Sequence, residues 1–385
     1  MFARARLRAV VPFPLPLAQA GPPEITGQPG RRILVQRSDE EAVALALDDA
    51  FVARPGAGLR FPAPWPRHRG TWEVAPDAGL AVFAGVHAVC AVEPSGAVRW
   101  EVRHGCRYSG CRDIHESYAE YADRPDHRYP ESGSVGFSAD GRLVWAHIHG
   151  PLPEGELFPD TADEWLVIDA GTGRVLGRTD ARAGAAGSLH FPHPTDPRQM
   201  ALSIGEGQDG ASLRWGRWDG RALTVDCLDD DLCLLGLSPS GDRLMTVSHD
   251  QDSLAVRTVR GSRGAAVDRL EWDAEAVIPR HPDAPAPAPA EGDDGGYDED
   301  EVYVCWDWAG GFLDEKTLIV STTECDEEWG QERHWLVDTG TGGFVRVDYP
   351  APVSCEPTAL GGNAWSTLSP DRDALHVWEL EGPED

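Results

Sequence analysis

Lysine is almost missing from this chain of 385 residues: Lys316 is the only one, and every other strong base is arginine. Bases as a class are scarce, 34 against 64 Asp and Glu, for a formal net charge of −30. Nucleic acid and anionic membrane are disfavoured as partners, because both repel the average surface of such a chain. No apolar run approaches the roughly 20 residues a bilayer-spanning helix needs. Helical periodicity over any long stretch is lacking. So are a Ser nucleophile elbow, a phosphate-binding glycine loop and an H-E-x-x-H string.

Glycine (42) and proline (31) are abundant beside a 41% hydrophobic content, which points to a turn-rich globular chain. The eight cysteines are scattered through a chain long enough to build its own core, so no disulfide framework is required. The segment from Met1 through Ala20 imitates a secretory signal, but Pro12, Pro14 and Pro16 interrupt its apolar stretch. A proline-spaced edge strand and a cytoplasmic location are the expectation.

Short alternating strands recur between glycine-bearing turns. One unit runs Ser134-Val-Gly-Phe-Ser, a turn at Asp140-Gly141, Leu143-Val-Trp-Ala-His-Ile, Glu164-Trp-Leu-Val-Ile-Asp, a turn at Gly171-Thr-Gly173, and Arg174-Val-Leu-Gly-Arg. These four strands are designated A to D. The same grammar fits 70–103, 187–226, 232–272 and 303–348, and a last unit, 357–380, shows only three strands. Four-stranded units of roughly 40–50 residues predict an all-β propeller. The missing fourth strand is expected from the N-terminus, within Leu7–Leu17 or Arg32–Gln36. Residues 21–68 read as one more blade, although Glu40 to Val52 reads equally as a short helix. Six blades are countable and seven favoured. The division is 1–68, closing strand and first blade, and 69–385, the remaining blades with insertions at 104–131 and 273–301.

Phe137-Ser-Ala-Asp-Gly-Arg-Leu-Val-Trp-Ala, followed by Leu166-Val-Ile-Asp-Ala-Gly-Thr-Gly, resembles the WD-repeat-like propellers. The pattern returns in Leu237-Ser-Pro-Ser-Gly-Asp-Arg-Leu-Met-Thr and Leu336-Val-Asp-Thr-Gly-Thr-Gly. Gly-His pairs at blade starts and regular Trp-Asp endings are absent, so the usual repeat hydrogen-bond network is not expected. The resemblance implies a tendency toward scaffolding and partner binding, on a fold that also hosts enzymes.

Antiparallel A-B-C-D order puts A–B and C–D turns on one face and B–C and D–A connections on the other. The first set is short throughout. The second holds 104–131, 149–164, 273–301 and 322–333, with shorter pieces at 205–212, 226–231 and 248–253. Together these seven segments contain 34 acids and 6 bases, so −28 of the net charge falls on one expected face. A solvated acidic rim and a docking surface for a basic protein partner or peptide are both open readings.

Three sites stand out. His104, Cys106, Cys111 and His115, with His127 nearby, offer thiolate and imidazole donors for a structural zinc; free thiols or a local disulfide are the alternatives. Glu206, Gln208 and Asp209 share the B–C position with His249, Asp250 and Asp252 of the next blade, a calcium or polar-partner site unless these side chains only tie their turns. Glu324, Asp326, Glu327 and Glu328 form an acidic binding candidate. Trp215 and Trp218 read as sharing one strand face. The leading function is non-enzymatic protein binding. The alternative is a metal-dependent, hydrolase-like enzyme using His147 and His149 with Glu154, Glu156 or Asp250.

Overall fold

The computed structural model describes residues 2–108, 110–111, 113–127, 133–153, 163–184, 186–229, 231–259, 266–280, 303–324 and 333–381. Five four-stranded antiparallel sheets occupy 24–62, 71–103, 134–180, 187–229 and 232–273. Eight further strands make two more blades, 304–348 and 354–380, the latter completed by Phe2–Pro12. Seven blades result, as favoured from sequence. The final blade takes its outer strand from the N-terminus: Ala5 to Pro12 runs antiparallel to Ala374–Leu380. Phe2 to Arg4 pairs in parallel with Arg346 to Asp348, so this one strand clasps the outer edges of blades six and seven.

Ring closure is visible in the packing. Side chains of a strand alternate between its two faces, so each central strand feeds two cores. Val144 and Ala146 join the core between blades two and three, while Trp145 joins the core between three and four. Among the described residues seven such inter-blade cores occur. The seventh packs Leu360, Leu375 and Val377 of the last blade on Ile25, Leu34 and Leu47 of the first. Neighbouring A strands touch one another, which puts them innermost.

Glu41–Leu47 is a strand, not the helix that its alanines allowed. It pairs on both sides, with Ile33–Arg37 and Ala53–Pro62, and that pairing outweighs alanine's intrinsic preference. Trp215 and Trp218 do not share a face. Trp215 packs between blades four and five and Trp218 between three and four, because residues three apart on a strand point oppositely.

The turn face owes its short loops to a recurring device. Asp carboxylates cap backbone N–H groups two residues ahead, as in Asp140 to Arg142 (3.1 Å), Asp219 to Arg221 (2.7 Å) and Asp338 to Gly340 (2.7 Å). On the opposite face the connections bond to each other. Gly105 N–H donates to Pro151 O (2.9 Å), Ala274 N–H to Asp252 O (2.9 Å) and Arg333 Nη1 to Pro279 O (2.5 Å).

Candidate metal centre and the long-connection face

Between the outer strand of blade two, Val98–Arg103, and the inner strand of blade three, Ser134–Phe137, the chain makes its long insertion. Cys106 N–H donates to Asp113 O (3.1 Å) and Cys111 N–H to Tyr108 O (2.8 Å), folding a loop that brings both thiols back together. Single 3-10 turns at Tyr118–Glu120 and Pro125–His127 then return the chain over the same spot. Arg69, from the link between blades one and two, donates to the carbonyls of His127 and Ala122 and fixes the second turn.

The metal-type donor atoms of Cys106, Cys111, His115 and His127 all lie within 4.8 Å of one another, and all four residues are buried. Cys111 Sγ is 3.5 Å from His115 Nε2. The opposite ring nitrogen of His115 is 3.3 Å from Glu120 Oε2, and His127 Nδ1 is 3.1 Å from Asp126 Oδ1. The His127 ring stacks between Tyr108 and Tyr121, at centroid distances of 5.0 and 5.6 Å. Burial pushes the Cys106 thiol up to about 12, so without a cation it stays protonated.

His104, the fourth sequence candidate, is not brought into this group, and His127 takes the place beside the thiols. His104 extends the line of strand Val98–Arg103: its N–H donates to His87 O (2.8 Å) and its Nδ1 to Gly105 O (2.7 Å). Burial holds its imidazole down to about 3 and therefore neutral. Eleven residues separate His127 from His115 in the chain, too many for spacing alone to join it to the group. Its adjacency to Asp126 is the signal that marks it, a carboxylate able to orient a ligating ring.

The second sequence site is spread among its own loops. Glu206 accepts from Ser212 Oγ (2.6 Å), and Gln208 is exposed. Asp209 lies in the turn Gly207–Asp209. His249 Nδ1 is 3.5 Å from Asp250 Oδ1, and Asp252 accepts from Ser248 Oγ (2.5 Å). Among the described residues no cluster of three or more metal-type donors forms at these two loops. Glu324 ends strand Thr317–Glu324; Asp326, Glu327 and Glu328 lie outside the described residues.

His147 and His149 do converge, on Asp163 rather than on Asp250; Glu154 and Glu156 lie outside the described residues. Asp163 Oδ2 is 3.3 Å from His147 Nε2, Oδ1 is 3.1 Å from His149 Nδ1, and Arg107 Nη2 from the insertion is 3.4 Å away. Burial opposes its ionisation, yet the two imidazoles and the guanidinium hold the carboxyl well below its ordinary range. The network runs on through buried hydroxyls. His147 Nδ1 meets Ser188 Oγ (2.9 Å), Ser188 meets Ser134 (2.7 Å), Ser134 meets His190 Nδ1 (2.9 Å), and Trp165 Nε1 donates to His190 Nε2 (2.9 Å). Sequence reading missed Arg107, Asp163 and both serines in this role. It ties inner strands of blades three and four to the B–C edge, in place of the repeat network that the sequence lacks.

No protein-family model and no curated protein matches the sequence. Solved structures do resemble it in fold. The WD40 domain of SCAP from fission yeast is 8% identical, covering 98% of each chain at a TM-score of 0.45. BamB from Moraxella catarrhalis is 11% identical, covering 99% of each chain at 0.42. The acylaminoacyl peptidase of Pyrococcus horikoshii is 11% identical at 0.46, covering 95% of this chain and 52% of that one. Blade count and closure come from the strand pairings and the seven inter-blade cores. The chain is a divergent β-propeller. In this propeller the thiol–imidazole group and the Asp163 network both sit at the face of the long connections, and Arg107 belongs to the insertion that carries the first while contacting the second.

Proposed function

We propose that this propeller is a non-enzymatic binding protein whose long-connection face takes a protein partner with a basic surface or segment. The observation that carries this reading is the sorting of connections. Short Asp-capped turns occupy one face, the described connections on the other bond to one another, and the seven segments that the sequence assigns to that second face hold 34 acids against 6 bases. An acidic face of this kind speeds encounter with a basic partner and rejects acidic ones. The groups on that face support binding better than catalysis. Asp163, His147 and Ser188 are buried and engaged with one another, and the four thiol and imidazole donors are all enclosed. No helix among the described residues is long and apolar enough to cross a membrane.

The test is a binding titration against an immobilised panel of Arg/Lys-rich and composition-matched acidic peptides at two salt concentrations. The propeller is expected to retain basic peptides only, less at higher salt. Asp326→Asn, Glu327→Gln and Glu328→Gln combined should weaken retention at least tenfold. Equal retention of both peptide classes, or no change in the triple variant, contradicts the reading.

A further inference from the structure

We propose that Cys106, Cys111, His115 and His127 hold one zinc ion in a closed, four-ligand structural centre that knits the insertion after blade two. This inference stands apart from the binding reading above and survives if that reading fails.

The donor set is two thiols and two imidazoles, a combination that favours zinc over the oxygen-seeking calcium and magnesium. Zinc–sulfur and zinc–nitrogen bonds of about 2.3 and 2.0–2.1 Å put tetrahedral ligand atoms roughly 3.3–3.8 Å apart. Cys111 Sγ and His115 Nε2 already stand at 3.5 Å, and the whole set falls within 4.8 Å. His115 has the Glu120 carboxylate 3.3 Å from its Nδ1 and presents Nε2 to the Cys111 thiol, while Asp126 Oδ1 stands 3.1 Å from His127 Nδ1. Such outer partners fix the tautomer of a ligating histidine.

A second, independent observation points the same way. His127 is completely buried, and neither of its ring nitrogens has a hydrogen-bond partner. Leaving a polar nitrogen so enclosed is costly unless something satisfies it. A zinc ion would. On binding, the two thiols release their protons to solvent, and two thiolates balance the dication, so the centre enters the interior with no net charge.

The insertion needs such a brace. Among the described residues its apolar cluster is Cys106, Cys111 and Tyr121 packed with Val86 of blade two, with Tyr108 and Tyr118 at the margin. Two of the three members that the insertion contributes are the thiols themselves. All four coordination positions are filled by protein side chains, which is the pattern of a structural centre, whereas catalytic zinc keeps a position open.

The experiment is metal analysis of the full chain, made in zinc-supplemented medium and purified with reduced thiols and without chelator. One zinc per chain is expected. Cys106→Ser and His127→Asn should each lower occupancy at least tenfold, while His104→Gln keeps it. Thiol footprinting of the wild-type chain supplies a second readout that does not depend on the folding of any ligand variant. Cys106 and Cys111 should resist alkylation until a zinc chelator is added, with exposed Cys227 labelled throughout. Less than a tenth of a zinc per chain, a Cys106–Cys111 disulfide, chelator-independent labelling, or loss of zinc in His104→Gln with retention in His127→Asn would overturn the proposal.

Discussion

Arg107 sets Nη2 3.4 Å from Oδ2 of Asp163, and both side chains are buried. One residue belongs to the insertion, directly after the first thiol; the other opens strand Asp163–Asp169 of blade three. Arg107 N–H also donates to Val86 O in blade two (2.9 Å). A single residue therefore fastens the insertion to two blades.

Breaking that pair leaves Asp163 buried without its guanidinium. Arg107→Leu is expected to cost about 3–5 kcal/mol in denaturant unfolding. Arg142→Leu removes an exposed arginine 4.0 Å from Asp140 and should shift stability by no more than about 0.5 kcal/mol. Similar losses in both variants would show that the buried pair has no special weight.

Chelating zinc should loosen the insertion and leave the ring standing, because the cluster around Cys106 is separate from the seven inter-blade cores. Limited trypsin digestion is expected to cut within 104–128 only after chelation, at arginines such as Arg107 or Arg112, while the near-ultraviolet signal of the blade tryptophans persists. Cleavage at equal rates with and without chelator would contradict this.

Closure of the ring rests on the core shared by the first and last blades. Leu34 and Leu375 face each other's blades there, and Leu34 is fully buried. Leu34→Ala should destabilise by about 2–5 kcal/mol, the range for truncating an enclosed leucine. A change under about 0.5 kcal/mol would mean that this seventh core does not close the ring.

Acid sensitivity should follow the buried histidines. Burial holds His334 down to about 4, and its Nδ1 meets Tyr349 Oη at 2.7 Å. The folded state refuses a proton that the unfolded chain accepts below its ordinary value of about 6.5. Stability is therefore complete above that pH and falls as pH drops toward 4. His334→Gln should flatten the slope of unfolding free energy between pH 6.5 and 4 by up to about 1.4 kcal/mol per pH unit. Parallel slopes would refute the assignment.

The blades were legible because their turns are local. Asp140-Gly141 or Asp338-Thr-Gly-Thr-Gly342 declares itself within five residues, and the alternation on either side follows from burial. Glu41–Leu47 was ambiguous because alanine suits a helix, and only its partners at Ile33 and Phe61 decide. The thiols were legible by spacing, His127 much less so, since a ligand twelve residues beyond His115 is placed by Arg69 from another blade link. Asp163 was invisible as a hub: its partners His147, His149 and Arg107 meet it through strand register and a long-range contact that no short motif encodes. Trp215 and Trp218 show the opposite failing, a plain period-two rule misapplied.

The most direct measurement of the central claim is zinc-edge X-ray absorption on the purified full chain. The account predicts a first shell of two sulfurs at about 2.3 Å and two nitrogens at about 2.0–2.1 Å, with outer-shell scattering from imidazole rings. A shell of oxygen and nitrogen alone, or a chain that carries no zinc, would contradict it.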